Sequence, residues 1–225
     1  MNARIPGSAF KPAQALDEVG RAWDRDIVAQ LTQYIRIPAK PPAFDEHWAT
    51  HGYLDQVVHD AATWGQAQKI EGLKLEVIRL EGRTPVLFFE LPASHGAGAA
   101  PRTTHAGQTV LMYGQLEDNV SYQAVVSFDG TGSATGWNAL TSAPWFEQAL
   151  QDASQSCFGA PCGYIGQGGT IPLMNILARG FPKAQRMVCG VLGPKSNAHG
   201  PNEFLHVPYA CRLTAAVAQV IAQMR

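Results

Sequence analysis

The sequence predicts an α/β fold, a mixed sheet flanked by helices. Three observations carry that expectation. Stretches with apolar residues at helical spacing alternate with stretches of strand pattern. One strand stretch, Thr109-Val-Leu-Met-Tyr-Gly114, is apolar throughout, the type buried on both faces of an α/β sheet. The chain has 225 residues, 46% of them hydrophobic, which is ample for one core, so a single domain over residues 1–225 is expected.

Residues 16–35 place Val19, Trp23, Ile27, Leu31 and Tyr34 on one helical face. That helix is expected to stop before Pro38, and Pro41-Pro42 to keep the chain extended. Residues 47–70 repeat the pattern with Leu54, Val57, Val58, Ala61 and Ala62, ending near Gly72. Leu73–Leu80 and Pro85–Leu91 read as a hairpin across Glu81-Gly-Arg-Thr84. Residues 92–108 read as a surface loop, and 120–128 as a further strand. Ser142-Ala-Pro-Trp145 offers a cap and a first-turn proline to a helix running to Phe158, with Gly159 as its stop. Gly166-Gln-Gly-Gly-Thr-Ile-Pro172 is a glycine turn leading into a short helix at 172–179. Arg186–Leu192 reads as a buried strand. Pro208–Met224 reads as a closing helix with Leu213, Val217, Val220, Ile221 and Met224 on one face.

A formal net charge of −1 without a Lys/Arg cluster argues against nucleic acid or an anionic membrane as partner. The N-terminal residues lack the apolar stretch of a secretory signal, and no apolar run is long enough for a bilayer. Cys157, Cys162, Cys189 and Cys211 form no C-x-x-C and read as structural thiols in a reducing compartment. A cytoplasmic location is therefore expected. Neither a Ser-His-Asp elbow nor a G-x-G-x-x-G or phosphate-binding loop is evident.

Three segments, in order, resemble one family. They are Val110-Leu-Met-Tyr-Gly-Gln-Leu-Glu117, Gly166-Gln-Gly-Gly-Thr-Ile-Pro172 and Gly193-Pro-Lys-Ser-Asn-Ala-His-Gly-Pro-Asn-Glu203. They are similar to the dinuclear-zinc exopeptidases and deacylases of the carnosine dipeptidase, carboxypeptidase and acetylornithine deacetylase type. Residues 135–158 and the closing helix also look like that family's C-terminal stretch. Residues 1–117 resemble the start of the family's catalytic domain and 120–225 its end. The resemblance implies a minimised zinc-exopeptidase catalytic domain without the family's lid or dimerisation domain. Removing internal elements is expected to uncover apolar surface or a sheet edge, and so to favour a homo-oligomer.

The departures from the family pattern concern the metal. Where the family has Gly-His-x-Asp, whose His binds the first zinc, this chain has Gln115 and Glu117. A neutral amide is a poor zinc ligand. The bridging Asp, the Glu-Glu pair holding the general base, and a further acidic ligand belong between the two blocks. Only about a dozen residues join Gly114 to Val125 there, too few to carry them. The family's Gly-Glu-Gly-Gly has become Gly166-Gln167-Gly168-Gly169. His199 is the ligand position that carries over.

A catalytic zinc usually takes three protein ligands and keeps one position open. Around His199 the only recruits are Glu117, Glu203 or His206. His199 is thus read as a remnant ligand, and zinc, the cofactor the resemblance implies, is expected to be absent. Glu117 is the one candidate catalytic carboxylate, for water activation, against its reading as a solvated link. Gly168, Gly169 and Thr170 open a helix with exposed N–H groups, suited to the carboxylate of a small peptide or amino acid; a tight turn with Thr170 as cap needs no ligand. Asn197 and Asn202 either orient a substrate or cap their loop. His47 and His51 share a helical face, with His59 further along, and read as metal ligands or as a polar face. Three functions remain open: an inactive shortened relative of zinc dipeptidases and carboxypeptidases, a residual single-zinc hydrolase of dipeptides or N-acyl amino acids, and a binding module for small carboxylates.

Overall fold

The computed structural model describes residues 10–42, 44–92, 109–112, 137, 139–166, 172–191, 195–198 and 200–224. Two compact units emerge, one of residues 1–25 with 122–225 and one of residues 26–121. The second division falls within a few residues of the seam between the two sequence blocks at 117–120.

In the first unit, α1 (Pro12–Ala22) opens on a first-turn proline. Helix α5 (Pro144–Phe158) does the same and closes on Gly159, whose φ of 72° is the left-handed conformation glycine adopts without cost. Its cap is the extended Ala143, one residue beyond the expected Ser142, and Ala143 N–H donates to Gln185 Oε1 at 2.7 Å. Phe146, Ala149, Leu150, Ala153 and Cys157 form the buried stripe of α5, at the spacing a 3.6-residue repeat dictates. Helix α7 (Val207–Ala222) buries Ala210, Ala215, Ala216 and Val220. The alanines on both helices let their backbones approach, and Leu16 and Val19 of α1 pack against the same cluster. Gln219 of α7 is buried and donates from Nε2 to Ser156 Oγ of α5 at 3.4 Å.

Helix α6 (Pro172–Gly180) precedes a segment without strand pairing. The buried strand expected at 186–192 is not found over its described residues, and Val188 and Cys189 are exposed. Arg186, the first residue of that segment, is turned toward α6. Its Nη2 donates to the carbonyls of Phe181 at 2.6 Å and Leu177 at 3.4 Å, so this residue closes the C-terminal end of α6.

The single helix expected over 16–35 is interrupted. A π turn over Trp23–Ile27 separates α1 from α2 (Val28–Tyr34), and the division between the units falls inside it. A π turn inserts a residue into the helical repeat and rotates the apolar face. The helix expected over 47–70 is likewise divided, into α3 (Trp48–His51) and α4 (Tyr53–Ala67), by Gly52 at φ 73°.

In the second unit, Leu54 and Val57 of α4 close on Ile37 and Ala39, with Tyr34, Trp48 and Tyr53 around them. Strands β1 (Lys74–Ile78) and β2 (Val86–Glu90) pair antiparallel as the hairpin the sequence predicts, in a register that sets Lys74 opposite Glu90, Glu76 opposite Phe88 and Ile78 opposite Val86. The other face of the hairpin brings Phe89 and Leu75 onto Gly65 of α4. A Cβ at Gly65 would lie 2.7 Å from the Phe89 ring, so its hydrogen is what admits the aromatic side chain. Arg79 pairs with Asp55, and Trp64 Nε1 donates to Asp26 Oδ2 at 3.2 Å.

Helices and a sheet are both present, as expected of the α/β class. Among the described residues the sheet is this antiparallel pair. The doubly buried strand expected at 109–114 does not appear in its described part, where Met112 is 71% exposed. An apolar strand is buried on both faces only when neighbouring strands and helices supply them. Tyr113, Gly114 and the strand expected at 120–128 lie outside the described residues. No helix among the described residues is long and apolar enough to cross a membrane.

Candidate functional site

Among the described residues, the segment before α7 holds three non-glycine residues in the left-handed region. Lys195 (φ 71°), Asn197 (φ 55°) and Asn202 (φ 58°) all adopt the left-handed region. Asparagine tolerates that region through local hydrogen bonding; lysine does not have that outlet. Side chain and backbone brace the loop together. Asn197 Nδ2 donates to the Pro201 carbonyl at 2.5 Å, Gly200 N–H to the Asn197 carbonyl at 2.9 Å, and Phe204 N–H to the Ser196 carbonyl at 3.1 Å. Ser196 is 2% exposed, so the loop is anchored at its base.

This geometry decides several sequence candidates. Asn197 is a loop brace. Asn202 is an exposed turn residue whose left-handed backbone accounts for its identity. Glu203 is exposed and engaged in an interaction of its own. His206 caps α7: its Nδ1 accepts from Tyr209 N–H at 3.1 Å, which takes that nitrogen away from any metal. His199, Gln115, Glu117, Gln167, Gly168, Gly169 and Thr170 lie outside the described residues. Among the described residues, no group of three or more His, Cys, Asp and Glu is arranged to hold a metal ion.

Gly200 is fitted to the brace. A Cβ there would sit 2.7–2.9 Å from the Asn197 amide, which is already committed to Pro201. Gly200→Ala is expected to break the Asn197–Pro201 bond and cost about 1 kcal/mol, a fall in melting temperature of about 2–4 °C. Thermal unfolding of the variant checks this, with faster amide exchange expected at position 200 and at Phe204.

A second constellation escaped the sequence reading. Glu147, on the polar side of α5, accepts from the Tyr164 hydroxyl at 2.5 Å and from Gln151 Nε2 at 3.1 Å. Gln151 also clasps Cys162 through both backbone groups, at 3.0 and 3.3 Å. The only sequence signal was Glu147 and Gln151 four residues apart outside the apolar stripe; Tyr164 is 17 residues away. These bonds hold the Glu147 carboxyl below its ordinary range, first through Tyr164 and then Gln151. Desolvation, the hydrogen bond to Glu147 and the Glu147 charge push the Tyr164 phenol up to about 12. The folded Tyr164 value exceeds the unfolded one, so the phenol's contribution is fully present below pH about 10 and lost as the pH rises through about 12, whereas the lowered Glu147 carboxyl contributes above the ordinary carboxylate range and loses its contribution as the pH falls. Difference absorbance of phenolate, parent minus Tyr164→Phe, is expected to give a midpoint near 12. In Glu147→Gln that midpoint moves down toward the ordinary tyrosine value.

Tyr164 precedes the glycine turn in the sequence and is 64% exposed. Elsewhere, an open hollow of about 340 Å³ over the hairpin is lined by Lys74, Leu75, Glu76, Phe88 and Glu90 and lacks convergent catalytic groups. The four cysteines are free, and burial raises the thiols of Cys157, Cys162 and Cys211 above their ordinary value, disfavouring the nucleophilic thiolate. Comparison with known proteins finds no family model that matches the chain and no curated protein that matches it.

Proposed function

We propose that the chain is an internally shortened relative of the dinuclear-zinc exopeptidases, a minimised catalytic domain that keeps the framework of the site and has lost hydrolysis. The observation that carries this reading is the braced loop 195–206, with Lys195, Asn197 and Asn202 in the left-handed region on either side of position 199. Backbone held in sparsely populated conformations persists where the surroundings over-determine it, and it clusters at functional sites. The loss of hydrolysis rests on Gln115 and Gln167 at positions where the resemblance asks for His and Glu. It rests equally on His206, whose Nδ1 is spent on capping α7. The outward apolar residues Ile78, Val86 and Phe88 of the hairpin support self-association as part of the same reading.

Zinc retention tests it. After loading with Zn²⁺ and desalting, His199→Ala is expected to keep as much zinc as the parent chain, because one imidazole without co-ligands does not hold the ion. Loss of one equivalent in His199→Ala would favour the residual single-zinc hydrolase instead.

A further inference from the structure

We propose that His47 and His51 form a two-imidazole site for a borderline divalent transition ion such as Cu²⁺, Ni²⁺ or Zn²⁺, with Asp45 as its positioning residue. The site lies in the second unit and is independent of the 195–206 loop.

The chain between Pro41 and α3 turns so that Asp45 serves two partners. Its Oδ1 accepts from His47 N–H at 3.0 Å, and its Oδ2 contacts His51 Nδ1 at 2.8 Å. His51 N–H donates to the His47 carbonyl at 3.0 Å, which completes one helical turn and sets the two side chains on the same face. The ring centroids are 6.0 Å apart with the planes 78° to one another. Imidazole ligands bind at about 2.0–2.1 Å, and side chains one helical turn apart on one face are neighbours that a single ion can bridge.

The Asp45 contact decides which nitrogen is available. A carboxylate on Nδ1 fixes the proton there and leaves the lone pair on Nε2 directed outward, the arrangement carboxylates impose on metal-bound histidines. Glu46 Oε1, at 3.6 Å from His47 Nε2, adds a further negative charge beside the site. The Tyr53 ring, 5.5 Å from that of His51, restricts it on the other side. The His47 and His51 side chains are 69% and 45% exposed, so an ion reaches them without rearrangement of the fold. With two protein ligands, water completes the coordination. Affinity then follows the order in which nitrogen ligands bind first-row ions, with Cu²⁺ tightest.

Titration of the full chain with Cu²⁺, followed by calorimetry and electron paramagnetic resonance, tests the site. The expected result is one equivalent with a two-nitrogen signature that disappears in His47→Gln/His51→Gln and survives in His59→Gln. Asp45→Asn keeps both imidazoles and is expected to weaken that equivalent about tenfold, the usual cost of losing an outer partner of a metal-bound histidine. The proposal is overturned if the double variant, with the circular dichroism of the parent, binds the same number of Cu²⁺ ions with the same spectrum. It is overturned equally if Asp45→Asn and the double variant leave the calorimetric isotherm unchanged.

Discussion

Phe146→Ala is expected to cost about 3–5 kcal/mol, the range for removing a buried aromatic ring from a packed core. Phe146 is 5% exposed and sits at the first buried position of α5, where it meets Trp145 edge-on at 5.5 Å between ring centroids. The buried cluster it belongs to is rich in alanine, with Ala149, Ala153, Ala215 and Ala216 beside Leu150, Cys157 and Val220. Alanines have no rotamers with which to collapse into a void, so the upper half of the range is expected. Chemical denaturation of parent and variant measures the difference. A loss below about 1 kcal/mol would mean that α5 does not organise this core.

Leu54→Ala is the corresponding test of the second unit. Leu54 is buried with Val57, Ile37 and Ala39, and Trp48 and Tyr53 pack at the edge of the cluster. The expected cost is about 2–5 kcal/mol. Here aromatic rings at the rim offer partial relaxation, so the middle of the range is expected. Unfolding followed by tryptophan fluorescence reads the change, because Trp48 flanks the deleted side chain. Leu54→Met, close in volume, is expected to cost below about 1.5 kcal/mol, which separates lost packing from any effect of substitution as such.

The elements legible in the sequence are those whose determinants are local. Helix α5 carries its own start in Pro144, its stop in Gly159 and its apolar repeat between them. The hairpin carries its alternation and its turn. What the pattern does not contain is whether an apolar run finds neighbours. Val110, Leu111 and Met112 have the composition of a buried strand and are exposed. Arg186–Leu192 has the same composition, but its first residue is occupied in closing α6. Periodicity also passes over single-residue interruptions, such as Gly52 at φ 73° and the π turn at Trp23–Ile27, because both keep apolar residues near the expected spacing.

The candidate sites follow the same division. The Asn and Gly positions around His199 were legible as a loop, and the left-handed backbone at Asn197 and Asn202 gives the physical reason for asparagine there. That His206 is a helix cap follows only from the position of Tyr209 N–H above its Nδ1. The Glu147–Tyr164 bond joins residues whose proximity depends on the turn after α5, which no spacing rule encodes. His47 and His51 were legible as a pair on one face, whereas Asp45, which orients His51, enters through the backbone turn ahead of α3.

The central claim is that a site framework persists without its hydrolytic chemistry. Its most direct test is release of free amino acid from a panel of dipeptides and N-acyl amino acids by the Zn²⁺-loaded chain, with and without chelator, alongside His199→Ala. Rates equal to those of Zn²⁺ in buffer are expected for both proteins. Turnover by the parent that chelator abolishes and His199→Ala lacks would contradict it.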